Sequence, residues 1–170
     1  MRLASIARIS SGVMIVMAGA SAAALWLAGQ ELAEERRAVA RQMEYRQLGR
    51  DLADASDFLM RQARQYAVTG GRQHFDAYRQ EVNETKTRDH VVARLKQLGA
   101  PQAELDLVEQ AKAKSDALVQ IEDTAMKAAA AQDFESARNL MFSDTYERNR
   151  TATMEPIAAF QREEIGRAHV

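Results

Sequence analysis

No charged residue occurs between Arg8 and Glu31. A helix over 9–30, at about 1.5 Å per residue, reaches roughly 30 Å, the thickness of a bilayer's hydrocarbon core. Arg2 and Arg8 precede the stretch, Glu31, Glu34 and Glu35 follow it, and Trp26 falls near the far interface. The positive-inside bias therefore predicts a short cytoplasmic tail over 1–8, a span over 9–30 and the remainder on the other side of the membrane. A cleaved signal peptide is the competing reading, because Ala18-Gly19-Ala20 and Ala20-Ser21-Ala22 resemble small-residue cleavage sites. The apolar run continues past them through Leu25-Trp26-Leu27, which favours an uncleaved span.

Beyond that span the chain predicts helices. Glycine (8) and proline (2) are scarce, whereas strong helix formers abound, so an all-α fold is expected. A net charge of −1, with no basic cluster carrying interleaved aromatics, gives no sign of a nucleic-acid partner. The lack of cysteine excludes disulfides, thiolate metal sites and covalent haem attachment.

Tyr45, Leu48, Leu52, Ala55, Leu59, Gln62 and Tyr66 alternate steps of three and four, a heptad seam that predicts packing against partner helices. Beside it Gly49, Ser56, Ala63 and Gly70 recur every seventh position, so small side chains line one flank and admit a close neighbour. Gly70-Gly71 then ends the helix. No proline or paired glycine separates Ala28 from Thr69, so one rod is expected to run from the membrane to Thr69.

A second helix is expected over 73–98, with Phe75, Tyr78, Val82, Thr85, Val92 and Leu95 inward, closed by Gly99-Ala100-Pro101. A third, over 101–131, places Leu105, Val108, Ala111, Ser115, Leu118, Ile121 and Ala125 on one stripe. Its alanine-rich tail from Ala128 to Ala131 predicts loose packing. The turn Gln132-Asp133-Phe134 opens a fourth helix with Phe134, Ala137 and Leu140 or Met141 inward. A break is expected near Ser143, a capping box at Asp144 and Glu147, and a kink near Ala152 from Pro156. The sum is an N-terminal transmembrane helix continuing into an up-down-up-down antiparallel four-helix bundle over 31–163.

Asp57, Arg61 and Arg64 are the candidate ligand-binding residues, because two guanidinium forks near one carboxylate can grip a carboxylate ligand. The plainer reading is a solvated face with an Asp57–Arg61 pair contributing about 0.3–0.5 kcal/mol. The sharper one sets a small anion between this face and a second subunit. Gln62, polar at a seam position, predicts a register-fixing contact with another helix. Tyr66 and Tyr78 read as core residues with hydroxyls at the distal end. His74 and His90 lack metal-ligand spacing, and Glu122 and Asp123, adjacent on a helix, point apart. No pattern calls for a metal, a cofactor or catalysis.

The segment over 41–160 resembles the periplasmic four-helix-bundle sensor module of bacterial methyl-accepting chemotaxis receptors. The resemblance is carried by Ser56-Asp57 with Leu59, Ala63-Arg64, Tyr66, Val68-Thr69-Gly70, Leu98-Gly99, Glu104-Leu105, Ser115-Asp116-Ala117-Leu118, and Met154 with Pro156-Ile157. It implies an inner-membrane protein with its bulk in the periplasm. It also implies a homodimer whose membrane helices shift when a small molecule or a periplasmic partner protein binds. Similar modules serve sensor histidine kinases and nucleotide cyclases, and a stand-alone membrane-tethered helical binding protein is a further alternative.

The receptors' second membrane helix and signalling region do not follow here. From Glu31 to Thr69 a helix covers roughly 57 Å, and from Asp133 to Phe160 about 42 Å, so the returning helix stops short of the bilayer. The end over 164–170, Glu-Ile-Gly-Arg-Ala-His-Val, matches a translated sequencing-library adapter. The natural frame is therefore expected to leave this chain near Glu164, which removes His169 from consideration.

Overall fold

In the computed structural model the backbone is described for residues 2–166, and side chains for Trp26, Gln30 and 32–163. The described residues are helical with no strands: α1 (Arg2–Thr69), α2 (Arg72–Gln80), a π-helical segment (Glu81–Thr85), α3 (Thr87–Gln97), α4 (Gln102–Ala130), α5 (Phe134–Met141) and α6 (Asp144–Gly166). The all-α expectation holds, and the arrangement is compatible with a helical bundle.

The chain divides into two compact units, Met1–Arg41 and Gln42–Val170. The first is the helical backbone of α1 from Arg2, with Trp26, Leu32 and Val39 exposed. Among the described residues no helix is long and apolar enough to cross a membrane. The span expected over 9–30 falls, Trp26 and Gln30 apart, on side chains outside the described residues, and so does the tail over 164–170 with His169.

The second unit is held by helices that pair in opposite directions. Gln161 donates to the Gly49 carbonyl at 2.9 Å, Arg64 pairs with Glu147, and Gly70 meets the Phe134 ring. Residue numbers rise along α1 as they fall through α6 and α5, so these helices run antiparallel to α1. In the same way Tyr78 meets Glu122, Arg88 meets Ser115, Asp89 meets Lys112 and Lys96 meets Glu109, which sets α2 and α3 against α4. Gln62 Oε1 accepts from His74 Nδ1 at 2.8 Å, the helix-to-helix contact expected of a seam amide.

Two apolar cores result. One gathers Leu59, Met60, Ala63, Ala67, Tyr78, Leu118, Ala125, Met126, Ala129, Ala137, Met141 and Tyr146. The other gathers Tyr45, Leu52, Val91, Leu95, Val108, Ala111, Ile157 and Phe160. Each of the large side chains fully buried there contributes about 1.5–3 kcal/mol of transfer free energy. The small flank of α1 is buried together with most of the seam beside it: Gly49, Ser56 and Ala63 are enclosed along with Tyr45, Leu52, Ala55 and Leu59, while Leu48, Gln62, Tyr66 and Gly70 are half-buried. Close approach explains the burial of the flank. A Cβ at Gly49 would lie 3.1 Å from a Phe160 ring carbon, and one at Gly70, where φ is +65°, would lie 2.8 Å from the Phe134 ring.

Two local expectations are corrected. The second helix is interrupted: the π-helical segment ends at Lys86, whose left-handed backbone (φ 49°) breaks the helix before α3 begins. The interruption changes the phase, so Val91 and Leu95 are buried while Val82 and Thr85 face outward. The cap of α6 is Ser143, whose hydroxyl accepts from the Tyr146 N–H at 3.1 Å, and Glu147 turns to Arg64 instead of closing a capping box. In the alanine-rich end of α4, Ala129 joins the apolar core with Ala137 and Met141 and Ala128 packs against it, while Ala130 and Ala131 are exposed. The break at Ser143 is present, and α6 continues through Pro156.

Helix ends follow capping rules. Gly99 N–H bonds to the Lys96 carbonyl and Ala100 N–H to that of Leu95, a Schellman motif with glycine in the left-handed position. The same pattern closes α4, where Gln132 N–H reaches Ala129 and Asp133 N–H reaches Ala128, but the left-handed residue is Gln132 at φ 66°. Gln132→Gly should therefore raise stability by about 0.5–1 kcal/mol in urea denaturation. Unchanged or lowered stability would show that the backbone there carries no strain.

Candidate functional site

The sequence-predicted cluster is split by the fold. Arg64 is half-buried and engaged: its guanidinium pairs with Glu147, donates to the Met141 carbonyl at the end of α5 at 3.2 Å, and lies over the rings of Phe142 (4.9 Å) and Tyr146 (5.2 Å). Hydrogen bonding from Arg64 holds the Glu147 carboxyl below its ordinary range, and Arg150 adds to it at 3.4 Å. Arg64 thus ties α1 to α5 and α6, and its charge is already compensated. Its outermost register position failed as a guide because Met60, Ala63 and Ala67 are buried as well as most of the seam, so the buried face of α1 is wider than the heptad stripe.

Arg61 stays exposed, 5.9 Å over the Phe58 ring, and Asp57 is half-buried. No Asp57–Arg61 ion pair forms among the described residues. Asp57, Arg61, Arg64 and Arg150 line an open surface hollow, so the fold brings them near one another without enclosing a ligand.

A more enclosed site lies between the two apolar cores. At this level α1 contributes Ser56, α4 Ser115 and α6 Thr153, each buried, and α3 contributes the half-buried Arg88. Small polar side chains replace the large apolar ones above and below, and the helices leave a cavity of about 80 Å³. Leu52, Val92, Val108, Ala111 and Ile157 form apolar walls. Glu81, Lys86, Asp89, Lys112 and Asp116 stand around the opening beside the π-helical segment. A π-helical turn followed by a left-handed lysine is a costly backbone, and such irregularities concentrate where helices make room for function.

Most charges at the opening are satisfied. Glu81 accepts from the Thr87 N–H at 3.0 Å, and Lys112 pairs with Asp89 at 3.3 Å. The Ser56 and Thr153 hydroxyls donate to the Leu52 and Asn149 carbonyls of their own helices. Arg88 differs. Its Nη1 donates to Ser115 Oγ at 2.6 Å, and among the described residues it makes no other hydrogen bond and no ion pair. A guanidinium has five N–H donors, so most of this one is available, as is the Ser115 hydroxyl proton.

Just beyond this layer Glu122 is 3% exposed and accepts from the hydroxyls of Tyr78 and Tyr146, each at 2.9 Å. Burial pushes its carboxyl above the ordinary range, against the two phenols and the nearby Arg88 charge, which favour the ionised form. Both phenols are raised, first by burial and then by the carboxylate beside them. Glu122 and Asp123 do point apart, since Asp123 is exposed. The burial of Glu122 is an addition to the sequence reading, as are the hydroxyl layer and Arg88. No cluster of three or more His, Asp or Glu able to hold a metal ion occurs among the described residues. In comparisons with known proteins, no family model, no curated protein and no solved structure matches the chain.

Proposed function

We propose that this chain is the ligand-sensing input region of a bacterial methyl-accepting chemotaxis receptor. In this reading 9–30 spans the inner membrane, and 31–163 forms an up-down-up-down four-helix bundle in the periplasm that acts as a homodimer. The supporting observation is the polar, partly hollow layer between two apolar cores, set against an interrupted second helix. A bundle built only for stability would fill that layer with large aliphatic side chains, since cavities and buried hydroxyls both cost free energy.

In this reading the layer bears on signalling. An occupant would touch Leu52 and Ser56 of α1 together with Thr153 and Ile157 of α6. A ligand shifts a conformational equilibrium only by its difference in affinity for the two states. Contacts to α1 and α6 at once give such a difference whenever the two helices slide or tilt.

Topology tests the reading cleanly because the chain contains no cysteine. Single cysteines introduced as Ser5→Cys and Asp123→Cys are probed with a membrane-impermeant maleimide in spheroplasts. Asp123→Cys should label in intact spheroplasts and Ser5→Cys only after permeabilisation. Labelling of Ser5→Cys without permeabilisation, protection of Asp123→Cys, or recovery of a shortened soluble chain would overturn it.

A further inference from the structure

We infer that the cavity between α1, α3, α4 and α6 binds a short-chain monocarboxylate of about two to four carbons. Its carboxylate would lie on the Arg88 guanidinium and the Ser115 hydroxyl, and its alkyl end against Val92, Val108 and Ile157.

Charge selects the anion. Of the charged groups lining the cavity, Glu81 and Asp89 are engaged, the first by a backbone N–H and the second by Lys112. Asp116 is exposed at the opening, as is Lys86. Arg88 is the half-buried cation, held in place by Ser115; the buried Glu122 carboxylate feels its charge but is held by the Tyr78 and Tyr146 hydroxyls, and Arg88 forms no ion pair among the described residues. A planar guanidinium fixed by one hydrogen bond is prepared for the parallel pair of bonds that a carboxylate accepts. Ser115 Oγ already accepts from Arg88, so its own proton is directed to a second acceptor, and a carboxylate oxygen supplies one.

Size and wall chemistry limit the rest of the molecule. An apolar cavity of about 150 Å³ accommodates benzene. A cavity of about 80 Å³ therefore takes roughly half as many heavy atoms, about three, which suits an alkyl end of one to three carbons with the carboxylate at the half-buried Arg88. Leu52, Val108 and Ile157 are buried aliphatic walls with no hydrogen-bonding group, which disfavours a second charge at the far end of the ligand.

This assignment rests on the sensor reading for its biological consequence, but its test is separate. The full chain in detergent is titrated calorimetrically with acetate, propionate and butyrate in a chloride buffer, with 1-propanol as the neutral comparison. Propionate should give a saturable isotherm and 1-propanol none. Arg88→Gln should weaken propionate binding by at least about tenfold, the loss expected for hydrogen bonds to a charged group. Ala111→Leu, which adds bulk to the cavity wall, should abolish binding while leaving the circular dichroism spectrum helical, and it serves where Arg88→Gln disturbs the fold. Arg61→Gln should bind as the parent does. The assignment is overturned if none of the three acids binds, the cavity then holding water only. It is equally overturned if 1-propanol binds as well as propionate, or if Arg88→Gln and Ala111→Leu both bind unchanged. Any of these three results obtained with the expected maleimide pattern removes the ligand class and leaves the sensor reading standing.

Discussion

Replacing Tyr146 by alanine should destabilise the protein by about 3–5 kcal/mol, a large part of the 5–15 kcal/mol typical of a folded domain. Tyr146 is fully buried, supplies one of the two hydroxyls that solvate Glu122, and carries the face on which Arg64 lies. Truncation therefore opens a cavity, leaves a carboxylate oxygen unpaired and loosens the link from α1 to α6. Tyr146→Phe keeps the ring and removes only the hydrogen bond, so its cost should be about 1.5–3 kcal/mol. Urea denaturation followed by circular dichroism measures both. Equal losses in the two variants would place the whole effect in the hydroxyl and contradict the packing account.

The second large effect concerns Glu122 and pH. Burial raises its carboxyl above the ordinary range, so the folded state binds the proton more tightly than the unfolded chain. Stability must then fall as pH rises from the unfolded carboxylate value, about 4.3, through the higher folded one. Glu122→Gln removes that titration and can still satisfy both phenols, its carbonyl accepting from one and its amide donating to the other. The difference between parent and variant should grow in the variant's favour across that window and level off above it. Carboxylates held low, such as Glu147 and Asp133, titrate alike in both proteins and cancel. Glu122→Ala should instead lose about 1–3 kcal/mol for each stranded hydroxyl. A difference curve flat from pH 4 to 8 would show that Glu122 is not desolvated.

Helix ends were largely legible because they depend on local backbone chemistry. Gly70 and Gly99 adopt the left-handed conformation expected of C-caps, and the break at Ser143 falls where predicted. Gln62 met another helix for the reason its seam position gave. The small flank of α1 was legible as a close-approach surface and most of the seam is buried beside it, while Leu48, Gln62 and Tyr66 are half-buried because a heptad read on one helix does not say which partners crowd it.

The candidate site was harder to read, and particular residues explain why. In α4 the steps Val108, Ala111, Ser115, Leu118, Glu122 and Ala125 alternate three and four as regularly as any seam. A stripe through Ile121 in place of Glu122 stays apolar at the expense of the true spacing, which hides the buried glutamate. Arg88 had no comparable signal. Its position depends on the π-helical segment and the left-handed Lys86, and nothing between Gln80 and Thr87 spells a break as glycine or proline would. Arg64 was visible as a functional type of residue, yet its partner Glu147 lies on a helix brought alongside only by the tertiary fold.

The central claim, that this bundle is the input end of a transmembrane chemotaxis receptor, is tested most directly by a long read of the genomic locus downstream of codon 163. The account predicts that the frame continues into a second apolar span, then a HAMP-like helix pair and a long methylatable coiled coil. A stop codon immediately after codon 170, or a kinase or cyclase domain in place of the coiled coil, would contradict it.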